Sequence, residues 1–108
     1  MKYTMKLLEE PFNNIENGTK TIEFRLYDEK RKNIKIGDTI EFLKLPNLEE
    51  KIITEVMELY RADTFLELFK RLYNNNEEAK RKANGMYDIY SREEEQRHGV
   101  LGMKIKVL

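Results

Sequence analysis

The sequence predicts an α+β fold, in which helices cover one end of a small, curled, mostly antiparallel sheet or barrel. Strand-like alternation marks five short segments, at residues 1–8, 19–27, 39–45, 50–60 and 100–108. Helical spacing is concentrated in residues 64–98 and does not recur after every strand. This order argues against a doubly wound parallel sheet. We expect the last strand to return and pair with the early ones.

Size and composition favour one folded domain that spans residues 1–108. Hydrophobic residues make up 40% of the chain, and the 6 tyrosines and 5 phenylalanines supply large core side chains. The absence of cysteine excludes disulfide scaffolds and thiol chemistry. The apolar runs are too short for a membrane span, and the first twenty residues lack a signal-like pattern. The cytoplasm is therefore the expected compartment.

The charges are balanced, with 20 Lys and Arg residues against 20 Asp and Glu residues. Proteins that coat nucleic acid by neutralising phosphates usually have a basic face or a high pI, whereas this chain has a pI near 6.6. Any role with nucleic acid must therefore depend on a local site.

The first half begins with a strand, a short helix and a second strand. Residues 1–8 alternate, and residues 9–17 have acidic residues in the first turn, Pro11 near the start and Gly18 just past the end. Residues 19–27 then alternate with period two, as a half-buried strand does.

Two more strands are predicted at residues 39–45 and 50–60. In the second of these, Ile53 shares its side with Met57 and Leu59, but the alternation is imperfect. This irregularity predicts a bulge or a strand change.

The second half is mainly helical. A first helix begins near residue 64, where apolar residues recur at positions 65, 68, 69 and 72. A second helix is predicted over residues 76–90, and Ser91 is placed to cap a short acidic turn. Residues 100–108 form the closing strand.

Several kinds of active site are excluded by residue type. His98 is the only histidine and there is no cysteine, so His-rich metal sites, Ser-His-Asp triads and Cys-His pairs cannot be assembled. The chain also has no GxxxxGK[ST] or GxGxxG string. The sequence therefore predicts no metal and no cofactor.

The informative segment lies between Gly18 and Arg25. Alternation puts Thr21, Glu23 and Arg25 on one side of the strand, and Lys20 at the turn can reach the same opening. Two cations and a carboxylate in one cleft could hold phosphate or carbonyl oxygens and orient a base amine or a water. The alternative is an exposed strand face with a Glu23–Arg25 pair of little energetic value.

These residues resemble the G-x-K-x-x-E-x-R motif of ASCH domains, a branch of the PUA-like superfamily. Residues 36–42 are similar to the G-D-x-I-x-F part of the I-x-x-G-D-x-I-x-F turn and strand that follow in that family. Residues 86–91, 93–95 and 99–102 resemble the ending of small stand-alone bacterial and archaeal ASCH proteins. The resemblance covers nearly the whole chain.

The resemblance implies a PUA-like β-barrel with a helix-lined cleft that binds RNA or a modified nucleotide. Lys20, Glu23 and Arg25 carry over as cleft residues. Tyr87 and Tyr90, three apart on the predicted helix, are placed to stack a base. Glu94 and Glu95 are placed to close the cleft. For the two tyrosines, core packing is the commoner role. A helix dipole explains glutamates in the first turn of a helix equally well. The predicted ligand-binding residues are Lys20, Thr21, Glu23, Arg25, Tyr87, Tyr90 and Glu94.

An enzymatic alternative uses the same cleft. Some ASCH proteins resemble amidohydrolases that deacetylate N4-acetylcytidine with a Lys, a Thr three residues later and a more distant Glu. Lys20 matches that pattern, but Glu23 occupies the threonine position, and Thr21 is the nearest hydroxyl. Another branch is associated with RNA cleavage. In either reaction Lys20 would act as base, and in RNA cleavage it could instead anchor a phosphate. Glu23 is the other catalytic candidate, and for RNA cleavage nothing in the sequence identifies a second catalytic group. A protein-interaction domain is a third possibility.

Overall fold

The computed structural model describes all of residues 1–108 and contains five strands and four helices. In chain order these are β1 (Lys2–Leu7), α1 (Glu9–Glu16), β2 (Ile22–Leu26), β3 (Thr39–Lys44), β4 (Lys51–Ala62), α2 (Phe65–Leu72), α3 (Asn76–Met86), α4 (Arg92–His98) and β5 (Val100–Val107). None of the four helices has the length and apolar content that crossing a membrane requires.

The five strands form one sheet in the order β1-β3-β4-β5-β2. β3 and β4 are antiparallel, whereas β1 pairs with β3 in parallel and aligns Met5 with Phe42. The sheet is a half-barrel, and β5 returns to lie beside β2. The predicted α+β, PUA-like fold is therefore confirmed.

The structure decides which side of β4 is buried. The buried side chains are Ile52, Thr54 and Val56, on the side opposite to Ile53. Thr54 can lie inside because its hydroxyl donates to the Ile40 carbonyl at 2.9 Å.

The helix predicted over residues 76–90 ends at Met86 instead. The backbone N–H groups of residues 87–89 bond three residues back, so the last turns tighten. Gly85, which weakens a helix interior, lies where this change begins.

The residues divide into two compact units. The first comprises residues 1–23, 34–59 and 103–108, and its buried side chains include Phe12, Ile15, Ile40 and Phe42. The second comprises residues 24–33 and 60–102. The core of the second unit consists of Leu26, Phe65, Leu68, Phe69, Ala79, Ala83 and Val100. The single-domain organisation stays a prediction.

Candidate functional site

The end of α1 positions the start of the Gly18–Arg25 segment. Gly18 has a φ of 84°, a value that favours glycine, and its N–H donates to the Ile15 carbonyl. The chain then turns back along the helix, because the Lys20 N–H donates to the Asn14 carbonyl at 2.8 Å. Lys20 is therefore held at a defined place beside the helix end.

Lys20 and Glu23 form an ion pair. The Lys20 Nζ lies 2.9 Å from the Glu23 Oε1, and 30% of the lysine side chain is exposed against 5% of the glutamate side chain. The alternative of an exposed strand face is therefore wrong for Glu23. Because the carboxylate is buried and the ammonium reaches the surface, the lysine is the partner that a ligand can approach.

A hollow of about 360 Å³ lies beside this pair. Its lining consists of Ile15, Glu16, Asn17, Gly18, Lys20, Thr21, Ile105, Lys106 and Val107. β5 closes one wall, since the Ile105 N–H donates to the Thr21 carbonyl at 2.9 Å. The volume is at the lower end of the range for small-molecule sites. The lining thus combines two lysines with one glutamate, polar Asn17 and Thr21, and apolar residues.

The predicted site residues fall into two groups. Lys20 and Thr21 line the hollow, and Glu23 holds Lys20, all within the first unit. The remaining four, Arg25, Tyr87, Tyr90 and Glu94, belong to the second unit. Arg25 is half-buried on β2.

Tyr87 and Tyr90 follow α3 and pack around one aromatic side chain. The Tyr90 ring stacks on Phe65 with centroids 5.8 Å apart, and the Tyr87 ring meets Phe65 edge-on at 6.5 Å. The Arg92 guanidinium lies over the outer face of Tyr87, 4.2 Å from its centroid. Packing against the core therefore accounts for much of both rings.

Glu94 has a structural role in the N-terminal cap of α4. Its carboxylate accepts from the Ser91 N–H at 3.0 Å, and its own N–H donates to the Ser91 hydroxyl. These bonds to Ser91 hold the pKa of Glu94 below its usual range. The capping box explains this glutamate without a ligand.

The sequence analysis did not separate Glu95, the buried member of the acidic run, from the exposed Glu94. Only 3% of Glu95 is exposed. Its Oε2 accepts from the Phe65 N–H at 2.8 Å, and the Tyr87 hydroxyl lies 2.8 and 2.9 Å from the two carboxylate oxygens. The available signal was spacing, since Glu95 is four residues after the cap Ser91 and that position faces inward in a hydrophobic staple.

No group of three or more acidic or histidine side chains is arranged to hold a metal ion. The hollow described above has two lysines and a single glutamate in its lining. Comparison with known proteins assigns the chain to a family. A family model of the ASCH domain matches residues 5–108.

The chain belongs to the ASCH family. Two solved structures support the assignment over the full length. The crystal structure of hypothetical protein PH0355 is 30% identical with a TM-score of 0.86, and 100% of each chain is covered. The solution structure of PF0455 from Pyrococcus furiosus is 31% identical with a TM-score of 0.71, covering 100% of this chain and 98% of that one.

A more distant structure shares the fold of this ASCH domain. The S128A variant of ZmASCH from Zymomonas mobilis is 15% identical with a TM-score of 0.57, covering 95% of this chain and 66% of that one. No curated protein matches the sequence. Within this ASCH domain, the motif residues are therefore interpreted from their own contacts.

From the Tyr87–Glu95 contact we expect the stability of the ASCH domain to fall at alkaline pH. Burial, and then the hydrogen bond to the Glu95 carboxylate, raise the pKa of Tyr87 above its usual value, which is about 10. The neutral phenol is thus favoured in the folded state. Its contribution to stability is complete below about pH 10 and is lost as the pH rises through the folded pKa.

We therefore expect Tyr87→Phe to destabilise the protein by a constant amount from neutral pH to about pH 9. Above about pH 10 the difference in unfolding free energy between the two proteins should shrink. Urea unfolding of both proteins across this range measures it. A difference that stays the same in strongly alkaline buffer would contradict the assignment.

Proposed function

We propose that this ASCH domain binds RNA or a modified nucleotide at the hollow beside Lys20. The observation that carries the proposal is the Lys20–Glu23 pair, in which a buried carboxylate holds an accessible ammonium at the edge of a hollow. An ammonium anchored in this way is oriented before a ligand arrives, which reduces the entropic cost of binding a phosphate or carbonyl oxygen.

The remaining lining supports a nucleotide-sized ligand. Lys106 adds a second exposed cation, and the exposed Thr21 supplies a hydroxyl that can donate or accept. Ile105 and Val107 belong to the apolar part of the lining, and Glu16 adds one carboxylate. Cations beside an apolar surface suit a ligand with both a phosphate and a flat base.

The ion pair favours binding over hydrolysis in this hollow. A general base must offer an unprotonated amine, whereas the Lys20 Nζ is engaged with a carboxylate at 2.9 Å. Glu23 lies at the position where the deacetylases have threonine, and its carboxylate is engaged in the same ion pair. Arg25 stays a predicted contact, and Lys20 is proposed as the main one.

The test is binding of a short, fluorescein-labelled, single-stranded RNA of mixed sequence, followed by fluorescence anisotropy. Lys20→Ala is expected to weaken binding by roughly ten-fold or more, because it removes a hydrogen bond from a charged donor. Lys106→Ala should weaken binding less. Lys104→Ala, which removes the same charge from the same strand outside the hollow, is the matched control.

Two further measurements separate binding from other roles. Thermal unfolding of each variant shows whether a loss of binding reflects unfolding, since Lys20→Ala leaves the buried Glu23 without this partner. Incubation with N4-acetylcytidine and with the RNA detects turnover. Product formation that Lys20→Ala abolishes would favour the hydrolase, and equal RNA binding by Lys20→Ala and Lys104→Ala would overturn the proposed site.

A further inference from the structure

A second cationic surface lies on the other compact unit, where Arg61 stacks on Tyr27. The Arg61 guanidinium carbon is 3.7 Å from the centre of the Tyr27 ring. Arg61 is exposed near the end of β4, and Tyr27 directly follows β2. A planar cation in van der Waals contact with an aromatic face is an ordered arrangement for an exposed arginine.

Hydrogen bonds that involve backbone atoms hold both members of this stack in place. The Tyr27 N–H donates to the Gly99 carbonyl at 3.0 Å, and the Tyr27 hydroxyl donates to the Lys32 carbonyl at 3.2 Å. The Arg71 guanidinium, from the last turn of α2, donates to the Arg61 carbonyl. We call Tyr27, Arg61 and Arg71 the arginine patch.

The charges of the arginine patch are not neutralised by the carboxylates of the neighbouring loop. Asp28 pairs with Arg31 at 2.7 Å, and Glu29 pairs with Lys32 at 2.9 Å. Arg61 contacts the Tyr27 ring and Arg71 contacts a carbonyl, and neither forms an ion pair. The dipole of α2 accounts for the cation of Arg71 in its last turn. It does not account for Arg61, which lies outside the helix and stacks on Tyr27 without an ion pair.

We infer that the arginine patch binds a single-stranded segment of RNA, with an unstacked base on the outer face of the Arg61 guanidinium and a phosphate at Arg71. Guanidinium planes and aromatic rings are the surfaces on which proteins stack single-stranded bases. Arginine also matches the geometry of phosphate oxygens. This inference deepens the proposed function and rests on its RNA binding, since it selects an RNA strand over a free nucleotide.

The experiment measures the affinity and the salt dependence of binding to the same labelled RNA. Arg61→Gln is expected to weaken binding roughly ten-fold, as loss of one base stack does. Arg71→Gln should lower the slope of log affinity against log salt by about 0.7, the value for one lost contact to single-stranded phosphate. Arg61→Lys should keep the wild-type slope but lose affinity, because it keeps the positive charge and removes the planar guanidinium on which the base stacks.

Arg81→Gln is the matched control, because it removes an exposed arginine from α3 of the same unit. It should bind as the wild type does. Loss of affinity in the Arg61 and Arg71 variants, but not in this control, supports the inference. If the two Arg61 variants and Arg71→Gln bind RNA with the affinity of the wild type, the inference is overturned.

Lys20→Ala, measured in parallel, separates this inference from the proposed function. If only Lys20→Ala weakens binding, the proposed function stands and the arginine patch is rejected. If only the Arg61 and Arg71 variants weaken binding, the patch stands and the hollow is rejected. Absence of RNA binding by the wild type rejects the arginine patch and the RNA part of the proposed function.

Discussion

Glu95→Ala is expected to lower the free energy of unfolding by about 3 to 5 kcal/mol, because it leaves two part-buried or buried donors without an acceptor. These donors are the Phe65 N–H, at the first turn of α2, and the Tyr87 hydroxyl. Small domains have about 5 to 15 kcal/mol of stability in total. Urea unfolding should therefore show a much lower midpoint.

The same helix supplies the controls for Glu95→Ala. Glu93 is 82% exposed and pairs with Arg97 at 3.6 Å, so Glu93→Ala should cost less than about 1 kcal/mol. Glu95→Gln keeps the shape of the side chain and one acceptor oxygen. Its loss of unfolding free energy should therefore fall between the losses for Glu93→Ala and Glu95→Ala. If Glu95→Ala and Glu93→Ala unfold at the same urea concentration, the buried carboxylate has no role in stability.

Gly99→Ala is expected to be the second most destabilising change, at about 2 to 3 kcal/mol, because the backbone there is essentially restricted to glycine. Gly99 follows α4 with φ of 73° and ψ of −174°. A Cβ at this position would also lie 3.1 Å from the Ala62 carbonyl oxygen, and backbone cannot move away as a flexible side chain can.

Gly18→Ala is the control for Gly99→Ala. Gly18 also has a positive φ, of 84°, but a Cβ there meets nothing within 4 Å. Its cost should be about 1 kcal/mol, from the backbone conformation alone. Thermal unfolding of both variants measures the difference, and an equal loss in the two would show that the contact with Ala62 is harmless.

Much of the fold could be predicted from the sequence because the relevant signals are local. The glycine after α1, the capping serine before α4 and the alternation in β1 each depend on residues a few positions apart. Such patterns report backbone preference and the buried face directly. The helix end at Met86 was less predictable, since Met86 and Tyr90 continue the apolar spacing past the point where the hydrogen bonds change.

The candidate site was only partly predictable. The spacing of Lys20 and Glu23 brought these residues into the analysis, but it did not indicate that the glutamate is buried and holds the lysine. Glu94 and Glu95 are adjacent and chemically identical, so sequence alone could not separate the capping residue from the buried one. Their roles depend on the rotation of α4 against the residues it packs on.

By itself, the sequence determined the α+β class, the order of the elements and the ASCH motif, since all three are properties of neighbouring residues. Only the tertiary structure decided which charges are buried, paired or left exposed. Glu95 meets a backbone N–H 30 residues away, and Arg61 meets the ring of Tyr27 from a different strand. Contacts over such separations arise from the packing of whole elements, and no local pattern in the chain encodes them.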